Sequence, residues 1–136
     1  MSKLFDLHDN CNVLNAFTSA TISTDTTTTG AIIDTVGYHG LEFILRSAVI
    51  TDGAYTVTMT EGDDSGLSDG ATVSAANTLG SIAFALTEDN TPKRIGYIGK
   101  KRYVRLNIVS TATSSGGVFN ANAVLFSPTH APVANQ

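Results

Sequence analysis

The amino-acid sequence predicts an all-β protein: an antiparallel β-sandwich of jelly-roll type, with an irregular N-terminal arm and a short C-terminal tail. Three observations predict it. Residues 54–61 and 101–109 alternate in side-chain character, the period-two pattern of a strand with one face on a core. Gly, Asp, Asn, Ser and Pro recur between apolar runs at short, even intervals, as turns between the short strands of a β-sandwich or a closed barrel do. No segment carries a convincing helical apolar period. At 136 residues the chain fits one domain, long enough to bury roughly two-thirds of its unfolded surface.

The elements follow in order. Residues 1–15 are polar and aperiodic, and Asp9-Asn10-Cys11-Asn12 reads as a turn or irregular arm. Ala16 to Ser23 alternates as a strand. Thr24 to Gly30 is a polar, low-complexity connector. Ala31 to Asp34 is a short strand, and Gly40 to Ile50 is long and nearly apolar, which predicts a strand buried on both faces. Asp52-Gly53 marks a hairpin turn. Beyond it Tyr55, Val57 and Met59 face one way, and Thr56, Thr58 and Thr60 the other. Residues 62–70 form a Gly/Asp/Ser loop around Leu67. Ala71 to Ala76, Ser81 to Leu86 and Arg94 to Ile98 are short strands, with a turn over Thr87 to Pro92. In Lys101 to Val109, Val104, Leu106 and Ile108 oppose Tyr103, Arg105 and Asn107. After a Ser/Thr/Gly turn, Gly117 to Phe126 is the last strand, with Phe119, Ala121, Ala123 and Leu125 inward; Pro128 and Pro132 end it. Arm and first strand thus take residues 1–29, the sandwich 30–127 and the tail 128–136.

The charges are few and unevenly placed. Charged residues make up 15% of the chain, against about 25% in a typical soluble domain. The net charge is −4, yet Lys93, Arg94, Lys100, Lys101, Arg102 and Arg105 are six of the eight Lys and Arg, in a stretch without Asp or Glu. Such separation points to a contact surface more than to a reaction centre. Two accounts of the segment stand open: the cations protect an exposed strand edge, or they pair with an acidic patch on a partner, such as residues 63–69 of a neighbouring copy. The segment also has an echo. Gly37-Tyr38-His39-Gly40 matches Gly96-Tyr97-Ile98-Gly99 at an offset of 59 residues, through chance recurrence or through two similar halves.

No catalytic constellation emerges. His8, His39 and His130 fall in an arm, a turn and a tail, without a nucleophile beside them. Cys11, the single cysteine, excludes an intrachain disulfide and reads as a spectator thiol. Residues 63–69 have the oxygen density of a calcium loop, but Leu67 and Ser68 stand where the EF-hand pattern needs an oxygen ligand and a glycine, so a solvated loop is expected. No Gly-rich loop opens a helix. Tyr97 and Tyr103 among cations would suit single-stranded nucleic acid, but a pI near 5.1 argues against it. The reading is therefore of a protein that is not an enzyme, with no cofactor, metal, nucleic acid or membrane span. The N-terminal residues lack the apolar core of a secretion signal, so the chain is expected to act where it is made or to leave the cell by lysis.

Three stretches carry a resemblance: Asp34 to Phe43, Thr51 to Thr58 and Gly96 to Leu106. They resemble small proteins encoded with tailed-phage head genes, the capsid cement or decoration proteins of the jelly-roll, Bordetella-phage kind. The likeness spans roughly residues 30–133, and residues 1–29 have no match in the family. It implies a non-enzymatic sandwich on the capsid exterior of a virion, bound across joints between subunits of the major capsid protein. It also implies association of copies, as dimer or trimer, at a local symmetry axis. The partner-binding residues expected on this reading are Tyr38, His39, Arg94, Tyr97, Lys100, Lys101, Arg102, Tyr103 and Arg105. The alternatives are a carbohydrate-binding β-sandwich, weakened by the absence of Trp, and a tail or baseplate component.

Overall fold

The described residues form ten strands: β1 (Cys11–Ile22), β2 (Thr27–Asp34), β3 (Tyr38–Ile50), β4 (Ala54–Gly62), β5 (Ala71–Thr72), β6 (Thr78–Leu79), β7 (Ala83–Phe84), β8 (Pro92–Tyr97), β9 (Tyr103–Thr111) and β10 (Gly117–Pro128). They are seen in a computed structural model that describes residues 6–134. Two antiparallel sheets result. One has the order β1-β10-β3-β8-β6; the other has the order β2-β9-β4-β5, with β7 also on β4. The expected all-β antiparallel sandwich is present.

The pairing is that of one long hairpin rolled upon itself. β1 lies on β10, β2 on β9 and β3 on β8, so early strands take late partners. The roll then brings β3 against β10 and β4 against β9. β2-β3-β4 and β8-β9-β10 each cross between the sheets and return. This corrects the reading of Asp52-Gly53 as a hairpin turn. Gly53 does turn the chain, at φ +93°, but β3 and β4 lie in opposite sheets, so the turn is a crossover at the edge of the core.

The core is the space between the sheets. Tyr55, Val57 and Met59 meet it from β4, Val104, Leu106 and Ile108 from β9, and Phe119, Ala121, Ala123 and Leu125 from β10, as the alternation requires. Phe119 sits between two other rings, its centroid 4.6 Å from that of Tyr55 and 5.3 Å from that of Phe84. β3 departs from expectation: Leu41, Phe43 and Leu45 are buried, but Ile44 and Val49 are exposed. An antiparallel sandwich covers one face of each sheet, so a nearly apolar strand here leaves hydrocarbon outside.

The N-terminal region is more ordered than its composition predicts. Cys11 already pairs with Phe126, and Thr27 with Val109, so the sandwich starts at β1 and no break falls near residue 29. An edge strand needs only one row of hydrogen bonds and can be polar; the Thr run suits extended backbone as well as a connector. The expected strands at 71–76 and 81–86 shrink to two-residue bridges, with a 3-10 turn at Ala75–Asn77. The tail does not hang free. Thr129 N–H donates to Gly37 O and Val133 N–H to Asp9 O, both at 2.8 Å.

Two aspartates tie the turns at one end. Asp52 accepts hydrogen bonds from the Ser114 hydroxyl and from the amides of Ser114, Ser115 and Gly116. Asp25 accepts from the hydroxyl and amide of Thr113. These bonds, led by the Ser114 and Thr113 hydroxyls, hold both carboxyls below the usual carboxylate range. Gly116 is required here: φ is +89°, and a Cβ would sit 2.1 Å from Ile22 O.

Candidate functional site

The other end carries the turn after β2 (residues 35–37) and the turn after β8 (residues 98–102). The backbone joins them: Thr35 N–H donates to Arg102 O at 3.0 Å, and its hydroxyl donates to the same oxygen at 2.7 Å. Leu41 and Tyr97 are register partners. Between the turns lies an open cleft of about 520 Å³, lined by residues 37–40 of the first Gly-Tyr-x-Gly run and residues 97–99 of the second, with Lys100, Lys101, Arg102 and Thr129. The echo in the sequence therefore has a spatial counterpart, although the two tyrosines differ in place. Tyr38 opens β3 and is half-buried against the core; Tyr97 ends β8 and is buried.

Tyr97 holds the cleft floor. Its hydroxyl donates to the Glu61 carboxylate and accepts from Lys101 N–H at 2.9 Å. Burial first, and the Glu61 carboxylate second, push that hydroxyl above its ordinary pKa, so it stays a donor. Gly99 keeps room for the ring: a Cβ there would sit 2.4 Å from the Tyr97 hydroxyl oxygen. Among the expected contact residues, Tyr97 is thus corrected to a structural one, with 6% of its surface exposed.

The basic segment is also largely spent within the chain. Arg102 Nε and Nη2 bond the two Asp34 oxygens at 2.8 Å each, and its guanidinium lies 5.0 Å from the centre of the Tyr103 ring. Lys101 pairs with Asp63, Lys93 with Glu88 at 2.7 Å, and exposed Arg94 reaches Glu42 at 4.0 Å. The Arg102 bonds hold the Asp34 carboxyl below its usual range, and Lys93 does the same for Glu88. Asp63, Asp34 and Glu42 stand far from their cations in sequence, which is why the segment reads as a bare positive field. Of residues 63–69, Asp63 pairs with the basic segment, and it does so within one chain. Lys100 and His39 stay exposed at the cleft rim, without a charged partner among the described residues. Arg105 lies apart, on the outward face of the β2-β9-β4-β5 sheet.

The acidic loop has its own structure. Asp64 accepts from the amides of Ser68 and Gly66, and Asp69 from those of Asp63 and Asp64. These amides, Ser68 first for Asp64 and Asp63 first for Asp69, keep both carboxyls below the usual range. No group of three or more His, Cys, Asp or Glu side chains that could hold a metal occurs among the described residues. No helix there is long and apolar enough to cross a membrane.

A feature missed by the sequence reading is the outward face of the β1-β10-β3-β8-β6 sheet. It exposes Val13, Ile44, Val49, Leu79 and Phe126 beside Glu42, Arg46 and Arg94. The signal was present in the apolar residues of β3 that an outward position leaves uncovered.

Fold and site define the class as a two-sheet antiparallel β-sandwich with a cleft at one end. No family model and no curated protein matches the chain. Among solved structures, one match is from "Structure of infectious bursal disease virus Gx strain", at 15% identity and a TM-score of 0.31. The alignment covers 88% of this chain and 42% of that one, so the chain spans less than half of its length. A likeness of that degree carries no inference about function.

Proposed function

We propose that this chain is a non-enzymatic structural protein of a phage virion. In this reading it is a cement that binds the outside of the assembled capsid across joints between major capsid subunits, as one of many identical copies associated in dimers or trimers. The observation that carries the reading is the resemblance of Asp34 to Phe43, Thr51 to Thr58 and Gly96 to Leu106 to the capsid cement family. These stretches form the cleft turns and much of β3, β4 and β9. The mixed apolar and charged outward face around Ile44 and Phe126 supports it as a docking surface of the kind protein partners bury. A jelly-roll assignment accords with the rolled-hairpin pairing. The mechanism is mass action: a protein that binds only the closed shell stabilises that state, and each added contact must break before the shell opens. The test is the number of copies per gradient-purified particle, by quantitative mass spectrometry. Hundreds of copies in the head fraction are expected; a few tens or fewer would point to a tail or baseplate component and end the cement reading.

A further inference from the structure

The outward face of the β1-β10-β3-β8-β6 sheet holds hydrocarbon and charge side by side. Of the nine exposed large hydrophobic side chains among the described residues, Val13, Ile44, Val49, Leu79 and Phe126 stand on its strands, and none on those of the other sheet. Apolar side chains gathered in this way are what protein contacts bury. Register sets the pattern at the centre. Arg94 lies opposite Ile44, Gly96 opposite Glu42, and Leu79 opposite Gly96 in turn. Glu42 and Arg94 are therefore diagonal neighbours on β3 and β8, roughly 7–8 Å apart along the backbone. Ile44 and Leu79 lie to either side of the line between them.

The charged pair is open to a partner. Arg94 Nε stands 4.0 Å from Glu42 Oε1, at the outer limit of an ion pair, and the arginine side chain is 82% exposed. A surface pair this loose contributes little to folding, so re-pairing it costs little. Beside it is an open hollow of about 350 Å³, lined by Glu42, Leu79, Gly80 and Arg94. Glu42 and Leu79 lean together over Gly96: a Cβ there would sit 2.8 Å from Glu42 Oε2 and 3.1 Å from Leu79 Cβ.

Symmetry selects the partner. An acid beside a base is complementary to a base beside an acid at the same spacing, and a second copy of the chain carries that arrangement by necessity. In a twofold contact residue i meets j and j meets i. We propose that two copies of this chain pair through this face, about a twofold axis that exchanges Glu42 and Arg94. Each Glu42 then meets the second copy's Arg94. The axis runs over Ile44 and Leu79, so each of these packs on its own counterpart. The strands of the two sheets cross at near right angles, one of the two ways in which sheets pack face to face. Arg46, opposite Pro92 and Asn120, falls outside the exchanged pair toward the rim, where water screens its charge. The inference gives the association of copies one face and one symmetry. It concerns the free chain and stands whether or not the chain coats a capsid.

The test is sedimentation equilibrium of the full chain at neutral pH, from roughly 1 to 500 µM, a range that reaches weak contacts. A dimer, twice the 14.2 kDa of one chain, is expected to form across that range. Ile44→Asp sets two carboxylates together on the axis, and Glu42→Arg or Arg94→Glu sets like charges across it. Each is expected to weaken the dimer about tenfold or more, with the melting temperature followed for every variant. The deciding step mixes the two charge variants. A Glu42→Arg chain and an Arg94→Glu chain are expected to form a mixed dimer, because each meets opposite charges only on the other. A pair that acts within one chain cannot be restored in this way. A chain that stays monomeric throughout, a trimer, a dimer indifferent to Ile44→Asp, or folded charge variants that remain apart when mixed would each overturn the proposal.

Discussion

Replacing Tyr97 by Phe removes one oxygen and strands two groups. In the native chain that oxygen donates to the Glu61 carboxylate and accepts the Lys101 amide proton. The ring remains, so the apolar packing of this buried side chain is kept. The loss is a hydrogen bond to a charged acceptor and one from a backbone amide, with half-buried Glu61 partly rescued by water. Together these cost about 1–3 kcal/mol. For a chain of this size 1 kcal/mol moves Tm by about 4 °C, so a fall of roughly 4–12 °C is expected. The assay is thermal unfolding by circular dichroism at pH 7, with amide hydrogen exchange at Lys101, which should accelerate as its acceptor disappears. Tyr38→Phe is the control. Among the described residues the Tyr38 hydroxyl has no hydrogen-bond partner, so its change should stay within about 0.5 kcal/mol. A Tyr97→Phe protein that melts within about 1 °C of the parent, with Lys101 exchange unaltered, would refute the argument that this hydroxyl holds the cleft together.

Phe119→Ala removes the middle ring of the buried trio and should cost about 3–5 kcal/mol, read from denaturant unfolding. The carboxyls of Asp25, Asp34, Asp52, Asp64, Asp69 and Glu88 are all held below their ordinary values. A depressed carboxyl contributes stability that is present above its unfolded pKa, near 4, and lost as pH falls through the folded value, so Tm should be flat from about pH 5 to 7 and fall below about pH 4. Asp52→Asn should lower Tm at pH 7 and narrow its gap from the parent in acid, in melts taken between those limits. On the capsid reading, Lys100→Glu should weaken particle binding in a co-sedimentation assay with little change in Tm. Arg102→Glu should lower Tm as well, since it sets a second carboxylate against Asp34.

Much of the fold was legible because alternation is a local property. Val104, Leu106 and Ile108 are buried, and so are Tyr55, Val57 and Met59, as their spacing requires. Long-range facts were not legible. Asp52-Gly53 has the residues of a hairpin turn, but whether flanking strands pair or part depends on where the rest of the chain lies. Strands were expected at Ala16 to Ser23 and Ala31 to Asp34, within β1 and β2; what escaped is that β1 starts at Cys11 and β2 at Thr27, because edge strands need no apolar pattern on the outside. At the cleft, the Gly-Tyr-x-Gly echo located both turns. The basic run misled, because its neutralising carboxylates arrive from β2, β3 and the turn after β4. Asn107 was placed on its outward face by alternation, but that one of its amide atoms stays open is visible only with its neighbours in position.

The rolled hairpin also sets a timetable for synthesis. β1 takes its ladder bonds from β10 alone, and Cys11 meets Phe126 across 115 residues of chain. At a ribosomal rate of roughly 5–20 residues per second, the first strand waits on the order of 5–20 s for the last. β1 contains no charged residue and no proline, the devices that keep a lone edge from pairing with a stranger. Nascent chains on neighbouring ribosomes are therefore one another's nearest hazard, and the interval closes only when β10 has been made.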